Sequence, residues 1–135
     1  MATPTQNRMH SPEAGLDVLC IQFAAGASGA VGAIQGGGKR NKEFRATTPL
    51  VRNSAGNYDV FLRQQWLALI ASRGECFGAI ATTAGTEMKV ITNSVTAAIP
   101  KVTVQFYRPD TGAAADPSNG DIVSITLFLK RLSPA

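Results

Sequence analysis

The amino-acid sequence predicts an all-β fold, an antiparallel β-sandwich or jelly-roll-like domain of seven to nine short strands, and three observations carry that expectation. Two segments near the C-terminal end alternate with period two. Val102, Val104 and Phe106 share one face against Thr103, Gln105 and Tyr107, and Val123, Ile125, Leu127 and Leu129 share a face against Ser124 and Thr126. Turn signals recur at intervals of roughly ten residues, the spacing of a sandwich or barrel. The 135 residues include 13 Gly and only 7% aromatic side chains, so the chain turns often and packs small groups. At this length a single domain buries roughly two thirds of its unfolded surface and needs no staples.

Residues 1–16 are rich in Thr, Ser, Pro, Gln and Asn with almost no periodicity. They read as an extended N-terminal arm, mobile in the free protein and ordered where it docks, with Arg8, Met9 and Leu16 as its candidate contacts. The sandwich domain is expected over residues 17–135. Asp17 to Phe23 reads as a strand with Leu19, Ile21 and Phe23 on one face and Val18, Cys20 and Gln22 on the other. Ala24 to Gly38 is dominated by Gly and Ala around Val31 and Ile34, which makes it a loop, a bulged edge strand or a segment packed on another chain.

Glu43 to Leu50 alternates up to Pro49, and Asn53 to Asn57 is a turn cluster. Tyr58, Val60 and Leu62 follow it as the second strand of a hairpin. Trp66, Leu67 and Ile70 stand at near-helical offsets, so at most one short helical segment is expected, near residues 64–71. Gly74 to Thr82, Thr86 to Thr92 and Val95 to Ile99 are weaker strand candidates. Matching alternation makes the two final segments expected antiparallel neighbours, with Val104, Phe106, Val123, Ile125 and Leu127 in the core.

Several chemistries lose support on spacing. The lone His10 lies in the arm, where no packed neighbour would hold it for a nucleophile or triad, and the sequence predicts no hydrolase, transferase or redox activity. His10, Cys20 and Cys76 lack the paired spacing of a zinc site. Gly36-Gly37-Gly38-Lys39 fails as a phosphate loop, with Ala33 and Arg40 where that motif needs Gly and Ser or Thr. Asp110, Asp116 and Asp121 match no calcium loop and read as turn residues. No metal, cofactor or catalytic residue is therefore expected. The two cysteines fall in apolar stretches and read as free buried thiols of an intracellular protein. Val18 to Ala25 is preceded by Glu13 and Asp17 where a signal peptide carries positive charge, and no run has the roughly 20 apolar residues of a membrane helix. Trp66, the only tryptophan, reads as a core residue capping one end of the sandwich rather than an interface anchor.

The formal net charge is +4, and five of the 13 basic residues, Lys39, Arg40, Lys42, Arg45 and Arg52, fall within 14 positions. Only Phe44 stands among them to stack on a base, so the run reads as a solvated basic surface, with an acidic partner as its functional use and sequence-specific nucleic-acid binding not expected.

The order Gly56-Asn57-Tyr58-Asp59-Val60, a Trp-Leu segment, Val102-Thr103-Val104, Gly112-Ala113-Ala114-Ala115-Asp116-Pro117 and a terminal strand Ile122 to Leu129 resembles small β-sandwich virion proteins of tailed bacteriophages, nearest the head decoration or cement proteins. The resemblance spans about Phe44 to Ser133 and rests on turn and strand patterns. It implies a non-enzymatic structural protein, made in the host cytoplasm and seated on the capsid surface of the virion. Its implied partners are the major capsid protein, whose subunits it would bridge and stabilise, and itself as a homo-oligomer, most often a homotrimer; no membrane is involved. A receptor- or glycan-binding module of a tail or head fibre is the alternative, and the scarcity of aromatic residues in the loops argues against it.

Overall fold

The computed structural model describes residues 16–35, 43–78 and 84–132. The expectations for residues 1–15, including Arg8, Met9 and His10, and for Lys39, Arg40 and Lys42 lie outside the described residues. Among those described, the chain forms eight strands: β1 (Leu16–Ala25), β2 (Val31–Gln35), β3 (Leu50–Ser54), β4 (Asn57–Phe61), β5 (Ala68–Phe77), β6 (Glu87–Ser94), β7 (Lys101–Tyr107) and β8 (Ile122–Lys130). A single 3-10 turn, Ala27–Gly29, joins β1 to β2.

The strands make two four-stranded sheets, the first in the order β2-β1-β8-β5 and the second β3-β4-β7-β6, with every pairing antiparallel. The predicted β-sandwich is the fold observed. Alternation works as expected in the strands at the middle of each sheet. In β1, Leu19, Ile21 and Phe23 are buried, and in β8 Val123, Ile125, Leu127 and Leu129 are buried beside them. Across the interface Tyr58, Val60, Val102, Val104 and Phe106 close the core, with the Tyr58 ring 5.3 Å from Phe23 and edge-on to Phe106 at 5.8 Å.

Five local expectations are corrected. The two final segments are not neighbours, because β7 pairs with β4 and β6 while β8 pairs with β1 and β5. Their apolar rows meet face to face across the core, which alternation alone cannot tell from side-by-side pairing. No helix forms near 64–71. Trp66 is fully buried, Leu67 points to solvent, and β5 begins at Ala68 because β8 supplies a ladder of hydrogen bonds that a two-turn helix could not match. Residues 43–49 form turns and one bridge, Phe44 to Leu62, and the strand starts at Leu50. Val95 to Ile99 is a turn between β6 and β7. Leu16, assigned to the arm, is the first residue of β1 and pairs with Lys130.

Within the Gly/Ala stretch, Ala24 and Ala25 end β1, and Val31–Gln35 forms a bulged edge strand, one of the three readings, while residues 36–38 lie outside the described residues. β2 pairs with β1 with a register shift between Phe23 and Ala25. Its inner residues Val31 and Ile34 pack against the core. At Gly74 on β5 the two sheets approach closely, since a side chain there would meet the Met88 Cβ of β6 at 2.6 Å.

Ile125 lies on β8 between two paired strands with no solvent exposure. Replacing it by Ala should cost about 2 to 5 kcal/mol of unfolding free energy through the cavity left behind. Urea titration of the variant against wild type measures this, and a difference below about 0.5 kcal/mol would contradict the assigned core.

Candidate interaction surface

The sandwich has two ends. One carries the 3-10 turn, the β3–β4 hairpin and the β7–β8 connection; the other carries Leu16, the stretch 62–67, the turn 95–100 and residues 131–132. The first end is held by Asp116. Its carboxylate accepts two hydrogen bonds from Arg52, at 2.9 and 2.8 Å, and one from the Gly56 N–H at 2.8 Å. Burial opposes ionisation of Asp116, but the Arg52 guanidinium and the Gly56 N–H outweigh it and hold the carboxyl below its usual range. Gly56 has φ +75°, and a Cβ there would strike the Phe106 carbonyl, so the hairpin needs glycine at this contact. Tyr58 donates to the Gly29 carbonyl at 2.6 Å, and burial, reinforced by the Asp116 charge, pushes its hydroxyl pKa upward so that it stays a donor.

The other end exposes large apolar side chains among polar ones, since Arg131 donates to Asp17 at 2.6 Å, Gln64 donates to Glu43 at 3.1 Å, and Arg63 is exposed beside them. Leu67, Ile70, Ile91, Ile99 and Leu132 are 50%, 56%, 44%, 65% and 56% exposed. The Leu67 N–H bonds to the Lys130 carbonyl and the Trp66 N–H to that of Val95, while Gln65 reaches the Ala97 carbonyl. These bonds place Leu67 beside the route to Leu132 and beside the turn that bears Ile99. Ile70 and Ile91 stand three residues in along β5 and β6. Five exposed Leu and Ile side chains thus stand at or near one end of the sandwich, and clustered exposed apolar groups mark interaction sites.

Both interior pairings, β1–β8 and β4–β7, are regular, whereas each pairing that involves an edge strand is irregular. The extra residue is on the edge strand: Asn53 in β3, Ile70 in β5, Ile91 in β6, and the Gly32-Ala33 pair opposite Ala24 in β2. Bulged edges block the addition of a further strand, so recognition falls to the faces and ends.

The outer faces differ sharply. On the second sheet Thr103 donates to Asp59 at 2.6 Å, Lys101 lies 3.6 Å from Asp59, Gln105 donates to Asn57, and Lys89 sits over the Tyr107 ring. On the first sheet, β1 and β8 present Val18, Cys20, Gln22, Ala24, Ile122, Ser124, Thr126 and Phe128, all half-buried and uncharged, with Leu16 and Lys130 as the end pair of the same face.

The basic residues within the described segments do not gather. Arg52 is spent on Asp116, and Arg45 lies at the opposite end, 3.7 Å above the Phe61 ring and bonded to the Thr47 and Thr48 carbonyls. Leu16, by contrast, sits at the end that exposes Leu67, Ile99 and Leu132, where residues 1–15 lead into the domain. Sequence reasoning missed these exposed side chains because they come from four separate segments. Cys20 and Cys76 are free, with the Cys20 Sγ 3.3 Å from the Ser124 Oγ. Burial, with the Asp121 and Glu87 charges, pushes the Cys76 thiol up to about 12. Among the described residues no group of three or more His, Cys, Asp or Glu side chains is placed to hold a metal ion. Comparison with protein-family models, with curated proteins and with solved structures gives no match.

Two outcomes follow for these groups. The folded-state pKa of Asp116 is depressed, so its stabilisation is complete above its unfolded value near pH 4 and is lost as pH falls through the folded value. Asp116→Asn should therefore flatten the fall of the urea midpoint below about pH 4, and equal slopes in variant and wild type would contradict the clamp. In a Cys20→Ser background, Cys76 should react with a disulfide reagent at pH 8 at least about tenfold more slowly than a free thiol. Reaction at the free-thiol rate would show an exposed or ionised sulfur.

Proposed function

We propose that this protein is a non-enzymatic virion protein of a tailed bacteriophage, a head decoration protein that sits on the capsid surface as a homo-oligomer and bridges and stabilises major capsid protein subunits. The observation that supports this reading is the pairing of exposed apolar side chains at one end with the entry of residues 1–15 at that same end. A polar segment that joins the domain at the end exposing Leu67, Ile99 and Leu132 suits a docking surface. The apolar side chains exclude water at the centre, and the segment satisfies its backbone groups on the partner and gains burial unavailable to it alone.

At the opposite end, where Phe77 is exposed, the charged groups are largely occupied by contacts within the chain. Arg52 and Asp116 satisfy each other, and Arg108 is paired with Asp110 at 2.7 Å. That end offers a partner few unsatisfied groups. Copies repeated over a lattice would strengthen individually weak contacts through multivalency.

The reading is tested by sedimentation with preassembled heads that lack this protein. Deleting residues 1–15, or combining Ile99→Ser with Leu132→Ser, should each lower attachment by about tenfold or more, since one buried large aliphatic side chain contributes about 1.5 to 3 kcal/mol. Because Ile99 and Leu132 are exposed, thermal unfolding of the free protein should barely move. Attachment equal to wild type in both variants would overturn the docking end, and no attachment by wild type would overturn the decoration reading.

A further inference from the structure

The outer face of the first sheet is the most uniform surface of the molecule. Its rows run Val18-Phe128-Ala71, Cys20-Thr126-Arg73, Gln22-Ser124-Glu75 and Ala24-Ile122-Phe77 across β1, β8 and β5. The two central strands contribute no charge to these rows, although the chain as a whole is +4. Charge enters on the edge strand β5, where Arg73 and Glu75 pair with each other at 2.7 Å, and at one end of the face, where Lys130 of β8 stands between Leu16 and Ala68.

We infer that this face packs against the same face of a second copy of the chain. Charge selects the occupant. An anionic surface or a nucleic acid would find no array of cations here, and an acidic or basic protein would have to desolvate its own charges without return. A second copy brings an equally neutral centre, and the Arg73–Glu75 pair on β5 and Lys130 in the end row can remain at the rim. Shape agrees with charge. Cys20, Ser124 and Thr126 are small, which lets two sheets approach to about 10 Å, the ordinary stacking distance. Four rows across the three strands span on the order of 300 Å² in projection, and the accessible area of a face studded with side chains is larger. With the flanking strand β2 and the end rows it approaches the roughly 800 Å² that a stable interface takes from each partner. The bulges on β2 and β5 leave the face, and not the edges, as the way for copies to meet.

The inference deepens the decoration reading, from which it takes the use of an oligomer, and it is tested without capsids so that the two can fail separately. Light scattering and sedimentation of the free full chain over about 1 to 100 μM should give a mass above the monomer. Ser124→Arg, whose guanidinium has Glu75 beside it in the free chain, should return the monomer with at least a tenfold rise in dissociation constant. Thr92→Arg, on the exposed outer face of the second sheet, should leave the oligomer intact. Circular dichroism checks that both variants fold. Should Ser124→Arg not fold, maleimide labelling of Cys20 in the wild type decides: the rate should rise at least tenfold on dilution below the dissociation constant. A wild type that is monomeric throughout, an oligomer that survives Ser124→Arg, or Cys20 labelling independent of concentration would each overturn the inference.

Discussion

One carboxylate holds the connections of this sandwich in place. Asp116 lies in the long passage from β7 to β8, where the chain leaves one sheet and enters the other, and it binds a guanidinium from β3 and the amide of the hairpin that follows. Gly29 stands so close that any side chain there would strike the same carboxylate. The 3-10 turn, the β3–β4 hairpin and the sheet-to-sheet crossing are thus fixed against one group. Each of these connections is short of apolar residues and could not be positioned by burial. A charge-assisted bidentate contact supplies the direction that the hydrophobic core, being non-directional, does not.

The strands that alternation identifies are those whose period is unbroken. β1, β4, β7 and β8 are interior, form the two regular pairings, and show their buried apolar face in Leu19, Ile21, Val60, Val104 and Ile125, with Asp59 and Thr103 also covered on the outward side by bonding to each other. Edge strands lose that legibility because one extra residue reverses the parity of all that follows. In β5 the bulge at Ile70 turns Leu67 to Ile70 into an apolar run with helical offsets, and the inward positions beyond it are Ser72, Gly74 and Cys76, which carry no hydrophobic signature. The same reasoning explains Arg45 and Arg52. Their closeness in sequence suggested one basic surface, yet a turn and the length of β3 send them to opposite ends, each to a partner in its own chain.

The surface follows a division of labour between edges, faces and ends. Bulges guard the edges, ion pairs and hydrogen bonds between side chains cover the second sheet, the middle rows of the first sheet's outer face are neutral on β1 and β8, and exposed Leu and Ile stand at the end near Leu16. None of this is visible as a motif. It arises from which strands neighbour one another, so a chain read residue by residue gives the inner face of each strand more readily than the use of the outer one.

The position of β8 sets a condition on how the chain reaches its structure. β1 and β5 belong to the same sheet but never touch as partners, because the strand between them is encoded last of the eight. During synthesis the second sheet has all four of its strands available while the first has only the β1–β2 hairpin and a lone β5. The apolar rows of Leu19, Ile21 and Phe23 must therefore wait, uncovered on one flank, until Ile122 to Lys130 has left the ribosome. Closure then joins residues more than a hundred positions apart, a costly loop that makes folding slow and late rather than progressive. A protein of this topology is completed all at once, by its final strand.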